Sequence, residues 1–167
     1  MDFLKSLEEM TLLYQRLNEI LRLERDSLID ADLEALKEQT KAKEALLYKI
    51  RNTEKMRQLA AMSFAKSKGF VGVDVRLLAL ADRCEDLGDK PLATQLRDRH
   101  KVLQIQVEQA QEQNKENEVY ASAALRILDG AVKDITQTVT EKPTYGKKGQ
   151  MAGTTETQSG NFVKREA

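Results

Sequence analysis

Apolar residues recur every three or four positions along most of the first 140 residues, which is the spacing of helices with one buried face. The first stripe begins at Leu4 and continues through Leu7, Leu17, Leu21 and Leu28. No stretch shows the strict alternation of apolar and polar residues that is typical of strands. The pattern therefore predicts an all-α protein.

A short polar joint follows the first helix. Asp30-Ala31-Asp32 interrupts the stripe, and Asp32 is a suitable N-cap for a second helix. Because neither Pro nor Gly stands in the joint, one kinked continuous helix is the alternative to a hairpin, and we favour the antiparallel hairpin. The stripe of the second helix contains Leu33, Leu36, Leu47, Ile50, Ala61 and Phe64.

The clearest internal break lies at residues 67–72, which contain two glycines. Asp74 is then the predicted N-cap of a short third helix, which Gly88 ends. Asp89 is the predicted N-cap of a fourth helix, with Pro91 tolerated in its first turn. The predicted inward positions of the short helix are Leu77, Leu80, Ala81, Cys84 and Leu87.

The fourth helix is predicted to be very long, roughly 70 Å at the standard rise per residue. Its inward positions form a nearly unbroken heptad seam. The seam becomes polar at Asn114 and Asn117, where buried amides would fix the register of packing. Its members are Leu92, Leu96, His100, Leu103, Val107, Ala110, Asn114, Asn117, Ala121, Ala124, Leu128, Val132, Ile135 and Val139.

Past Val139 the periodicity stops, and Gly, Thr, Ser, Gln and Lys dominate to the last residue. Such a composition buries too little apolar surface to offset the entropy of ordering. We therefore predict a helical domain at residues 1–140 and a flexible tail at residues 141–167. The expected architecture is an elongated antiparallel helical hairpin or bundle with a very long last helix.

Candidate chemistry is sparse. With one His and one Cys, the sequence provides neither a nucleophile and base pair nor the paired Glu-x-x-His motifs of a carboxylate-bridged metal centre. His100 is interpreted as a seam residue and Cys84 as a packed, reduced thiol. We expect no enzyme activity, no cofactor and no metal.

Charge is balanced over the chain, with 27 basic and 27 acidic residues, which argues against a nucleic-acid partner. Residues 37–68 nevertheless carry seven Lys and two Arg against three Glu. We interpret this excess as a solvated helix face, and a nucleic-acid site there is the alternative. The amino terminus shows no signal sequence and the chain no apolar run of membrane-spanning length, so we expect a cytoplasmic protein that does not insert into membranes.

Three stretches together resemble the FlgN family of flagellar type III export chaperones. Residues 28–57, with the run Asp32-Leu33-Glu34-Ala35-Leu36, are similar to the amino-terminal signature of the family. Asn114-Lys115-Glu116-Asn117 resembles its late-helix Asn-x-x-Asn block. The ending Pro143-Thr144-Tyr145-Gly146-Lys147-Lys148-Gly149-Gln150 resembles the family's Pro-Thr, Tyr-Gly and Gly-Gln tail.

This resemblance implies an all-helical cytoplasmic chaperone that holds the carboxy-terminal helical segments of two hook-associated proteins, FlgK and FlgL, until the export apparatus accepts them. It also implies that Tyr145, with Gly146, docks the loaded chaperone on the cytoplasmic domain of the export gate.

Cargo segments that later polymerise would expose apolar helix faces, which an unfilled helical seam can shield. The candidate cargo site is the part of the seam with the fewest predicted partners in the chain: Leu125, Leu128, Val132, Ile135 and Val139. A homodimeric coiled-coil scaffold is the alternative function, because heptad seams with Asn insertions commonly build dimers. The sequence leaves open whether the cargo-free protein forms a homo-oligomer.

Overall fold

The computed structural model describes residues 2–70, 72 and 74–140, with side chains through residue 138. Within these residues the chain forms α1 (Phe3–Ile29), α2 (Leu33–Ser67), α3 (Leu77–Asp86) and α4 (Lys90–Thr140), and no strand. The all-α prediction and the long last helix are confirmed. The predicted tail at residues 141–167 lies outside the described residues, so its separation from a helical domain stays a prediction.

The joint between α1 and α2 is a hairpin, as predicted. Asp30 caps the end of α1, Ala31 adopts a left-handed backbone with φ of 55°, and the Asp32 carboxylate accepts the backbone N–H groups of Glu34 and Ala35. One residue in the left-handed region reverses the chain, and the Asp32 side chain then satisfies the free donors of the new helix.

The start of α3 differs from the prediction. Asp74 is not its N-cap, because its carboxylate accepts the backbone N–H of Arg76 and pairs with the guanidinium of the same residue. Arg76 occupies the cap position without a side-chain hydrogen bond, and the helix begins at Leu77. The predicted end at Gly88 is confirmed by its φ of 84°, and Asp89 caps α4 by accepting the N–H of Leu92.

The described chain divides into two units, the first ending at residue 125 and the second beginning at residue 126. In the first unit, α2 runs antiparallel to α1, as the pairs Glu9–Lys49 and Glu24–Lys43 show. α4 runs parallel to α1, since Glu8 pairs with Arg99 near the start of each helix and Arg25 pairs with Glu116 farther along.

The core of the first unit has two clusters. All four helices contribute to the first, which comprises Phe3, Leu7, Ala60, Ala61, Ala65, Leu77, Leu80, Ala81, Cys84, Ala93 and Leu96. Only α1, α2 and α4 contribute to the second, which comprises Met10, Leu13, Leu17, Leu21, Ile50 and Ala110. The α2 members of the first cluster are all alanines, and their small side chains allow close packing where α3 joins the other three helices.

Two predicted core leucines are exposed instead. Leu33 is the first residue of α2 and Leu87 follows the last residue of α3, with exposed fractions of 66% and 64%. Both fit the helical spacing of their stripes, but helix ends have fewer neighbours than helix interiors.

The second unit contributes the last part of α4. Its described side chains, residues 126–138, are all exposed to solvent.

Candidate functional site

An apolar groove lies in the first unit, over α1 and between α2 and α4. Two cavities of about 660 Å³ and about 270 Å³ form it, and Tyr14 and Val107 line both. The start of α3 closes one end with Leu77 and Leu78. The groove arises because α2 and α4 both pack on α1 in the second core cluster, while α3 reaches only one end and no other helix among the described residues covers the rest.

The groove residues come from all four helices. α1 contributes Leu7, Met10, Tyr14, Leu17 and Leu21, and α2 contributes Lys43, Leu47, Glu54 and Arg57. α4 contributes His100, Leu103, Val107, Ala110, Gln111 and Asn114.

The charged side chains of the groove all form ion pairs, one within the groove and the others with residues beside it. The Arg57 guanidinium donates two hydrogen bonds of 2.7 Å to the carboxylate of Glu54. These bonds lower the pKa of Glu54 and raise that of Arg57. Burial raises the pKa of the Tyr14 phenol, and the neighbouring negative charge of Glu54 adds to that shift. A groove with compensated charges suits an apolar helix face rather than a charged ligand.

A buried polar cluster fixes the register of α1, α2 and α4 at one end of the groove. Asn117, only 4% exposed, donates hydrogen bonds to the backbone oxygen of Leu21 at 2.8 Å and to Glu24 Oε2 at 2.9 Å. Lys43 Nζ lies 2.5 Å from Glu24 Oε1. Nearer the middle of α1, Asn18 Nδ2 donates to the backbone oxygen of Gln106. The Nδ2 groups of these amides reach their acceptors at only one register of the helices. The Oδ1 atoms of Asn18 and Asn117 are buried and have no hydrogen-bond partner among the described residues.

The two asparagines that the sequence singled out differ in role. Asn117 makes contacts between helices that a register role requires. Asn114 instead donates to Glu118 on the same helix and faces the groove.

The predicted cargo residues lie on one exposed side of α4. Leu125, Leu128, Val132 and Ile135 are spaced by three or four residues, with exposed fractions of 62%, 59%, 61% and 64%. We call these four residues the α4 stripe. Leu125 closes the first unit and the other three belong to the second. Val139 continues the spacing, but its side chain lies outside the described part of the chain. The predicted gate residues Tyr145 and Gly146 lie wholly outside the described residues.

The groove was not foreseen from the sequence. His100, Leu103 and Val107 have the seam spacing of buried residues, yet the structure leaves them half-buried along the groove. Their spacing is the same as that of the fully buried Leu96, so only the arrangement of the neighbouring helices reveals the difference.

Other candidate chemistry gives no site in the described part of the chain. No group of three or more His, Cys, Asp or Glu residues there could hold a metal ion. Cys84 is 1% exposed, and burial raises the pKa of its thiol, which disfavours the reactive thiolate. None of the described helices is both long and apolar enough to span a bilayer.

The fold and the candidate site define a class, that of all-helical proteins with an apolar groove and an exposed apolar stripe. The family model described as FlgN protein matches residues 1–153. The chain belongs to the FlgN family, a family of flagellar chaperones rather than enzymes. No curated protein and no solved structure shows a significant match to the chain.

Proposed function

We propose that this protein is a cytoplasmic chaperone that binds the carboxy-terminal helical segments of the hook-associated proteins FlgK and FlgL and delivers them to the export gate. Membership of the FlgN family supports the general role. The exposure of the α4 stripe is the observation that carries the cargo-binding proposal, because four large apolar side chains lie along one side of a helix.

Before assembly, the apolar face of an amphipathic cargo helix has no partner, and the α4 stripe would provide one. Its spacing matches the three-and-four pattern of helix-to-helix contacts. Arg126, Asp129, Lys133 and Asp134 in the same segment carry no net charge, so apolar burial provides the binding energy. Covering the apolar face of the cargo helix would prevent premature association of the cargo in the cytoplasm.

The groove of the first unit is a second candidate for the same cargo. We favour the α4 stripe because its side chains are more exposed than those of the groove, where Leu103 and Val107 are half-buried. Burial of an already half-buried residue releases less apolar surface and so contributes less to binding.

The test is isothermal titration of a carboxy-terminal FlgK fragment, and then a FlgL fragment, into matched pairs of variants. Leu128→Glu with Val132→Glu should weaken binding at least about a hundredfold, because two charges would enter the interface. Val107→Glu in the groove should change affinity less than about threefold. The opposite ranking would move the cargo site into the groove. Absence of binding by the unmodified protein would refute the chaperone proposal, and a dimer mass by light scattering would then favour a coiled-coil scaffold.

For delivery, we propose that Tyr145 and Gly146 contact the cytoplasmic domain of the export gate. The support is the family-like tail motif in which both residues stand. Tyr145→Ala should preserve FlgK affinity and abolish capture of the loaded complex by the purified gate domain. Loss of both activities would assign the tail to the cargo site, and retained gate binding would refute the docking role.

A further inference from the structure

The face of α2 that points away from the core carries a regular row of apolar and basic side chains. Successive members are three or four residues apart, so they form one line along the helix. We call this row the outer stripe. It consists of Tyr48, Arg51, Lys55, Leu59, Met62 and Lys66.

The apolar members of the outer stripe are large side chains, and more than half of the surface of each is exposed to solvent. The exposed fractions are 68% for Tyr48, 56% for Leu59 and 53% for Met62. Single exposed apolar residues need no explanation, but three on one line of a helix form a surface that another helix can cover.

The cations of the outer stripe have no acidic partners among the residues that the structure describes. Of the nine basic residues at positions 37–68, five form ion pairs in the described part of the chain, namely Lys37, Lys43, Lys49, Arg57 and Lys68. Arg51, Lys55 and Lys66 form none there, and all three lie on the outer stripe.

Acidic residues are also scarce around the stripe. Between residues 45 and 66 the only carboxylate is Glu54, which faces the groove and binds Arg57. The nearest carboxylate on the outer face is Glu44, one turn before Tyr48. The stripe is therefore a line of uncompensated positive charge with apolar side chains between the charges.

We propose that the outer stripe is a docking surface for an acidic amphipathic helix of a partner protein. The apolar residues of that helix would cover Tyr48, Leu59 and Met62, while its flanking carboxylates would pair with the three free cations. The stripe spans about 27 Å, so the partner segment needs roughly five helical turns. The outer stripe shares no residue with the part of α2 that lines the groove, so the two surfaces are distinct.

The alternatives fit the surface less well. An amphipathic helix that lies on a membrane has a wide, continuous apolar face, whereas here cations separate Tyr48 from Leu59. Single-stranded nucleic acid is held by several stacking aromatic rings, and Tyr48 is the only aromatic residue of the stripe. Charge complementarity with an apolar component favours a protein helix.

The experiment measures binding of a labelled synthetic helix by fluorescence anisotropy. The probe is a helical peptide of about five turns, with leucines on one face and glutamates beside them. A peptide of the same composition in scrambled order lacks the apolar face but keeps the charge. Oligouridylate and vesicles with phosphatidylserine are the two other probes.

The test variant is Arg51→Glu with Lys55→Glu and Lys66→Glu. The matched control is Lys5→Glu with Lys101→Glu and Lys115→Glu, which gives the same change of net charge at exposed cations outside the stripe. If circular dichroism shows that this charge-reversed variant has lost helicity, a neutral variant with Gln in place of the three stripe cations replaces it in the test.

We expect the unmodified protein to bind the helical peptide at least about tenfold more tightly than the scrambled one. The stripe variant should weaken that binding at least about tenfold, and the control less than about threefold. Equal binding of both peptides, equal effects of both variants, or absence of binding would overturn the proposal. Stronger stripe-dependent binding of oligouridylate or vesicles than of the peptide would also overturn it.

Discussion

Replacement of Asn117 with Ala tests whether the buried polar cluster holds α1, α2 and α4 together. The change removes a hydrogen bond to a backbone oxygen, worth about 1 kcal/mol, and one to the carboxylate of Glu24, worth about 1.5–3 kcal/mol. Ala favours a helix over Asn by up to about 0.7 kcal/mol, which offsets part of the loss. We therefore expect the free energy of unfolding to fall by about 2–3 kcal/mol.

The same chain provides a matched control. Asn114 is one turn earlier on α4, and its amide donates only to Glu118 on the same helix. Such a pair contributes about 0.2–0.5 kcal/mol, and the better helix propensity of Ala cancels most of it. Asn114→Ala should therefore change the free energy of unfolding by less than about 0.5 kcal/mol.

Urea unfolding followed by far-ultraviolet circular dichroism measures both variants, and thermal unfolding gives a second reading. A loss of this size should lower the Tm for Asn117→Ala by roughly 5–10 °C. The reasoning would be refuted if the two variants were equally stable, because the contacts between helices would then contribute nothing beyond those within one helix.

Three further predictions concern the core and the groove. Leu80→Ala should cost about 2–5 kcal/mol in thermal unfolding, since Leu80 is fully buried among four helices; a loss under about 1 kcal/mol would contradict this packing. Cys84 should react with a thiol reagent much more slowly in the native protein than in urea, and equal rates would contradict its burial. Because hydrogen bonds from Arg57 lower the pKa of Glu54, ionised Glu54 stabilises the fold above its unfolded pKa, and that contribution disappears as the pH falls through the lower folded pKa. Glu54→Gln should thus cost a few tenths of a kcal/mol at neutral pH and nothing in strong acid, and a difference that persisted in acid would refute the assignment.

The helices were largely predictable because their ends carry local signals. Asp32, Gly88 and Asp89 act through their own side chains or backbone within a few residues, so the sequence contains the information needed. The prediction that Asp74 caps α3 was wrong for a related reason. The backbone N–H of Arg76, two residues later, donates to the Asp74 carboxylate, and the helix begins only at Leu77. Competition between two nearby residues is harder to foresee than a single cap.

The groove and the partners of the buried amides were not predictable in the same way. Whether Val107 contacts a neighbouring helix or lines an open groove depends on how α2 and α4 lie against α1. The donor role of Asn117 likewise depends on Leu21 and Glu24, which are far away in the sequence. Periodicity identifies the inward side of a helix, but it does not say whether another helix is present to cover that side.

Charge distinguishes the surfaces that could bind partners. The α4 stripe and the groove are apolar with compensated charges nearby, so binding there depends on buried apolar area and should change little with salt. The outer stripe carries three free cations, so binding there should weaken as salt screens their attraction. A FlgK titration repeated at low and high ionic strength therefore tests the division of roles that we propose. Salt-independent affinity would agree with cargo on the α4 stripe, whereas a steep loss would show that cargo uses the cations of α2.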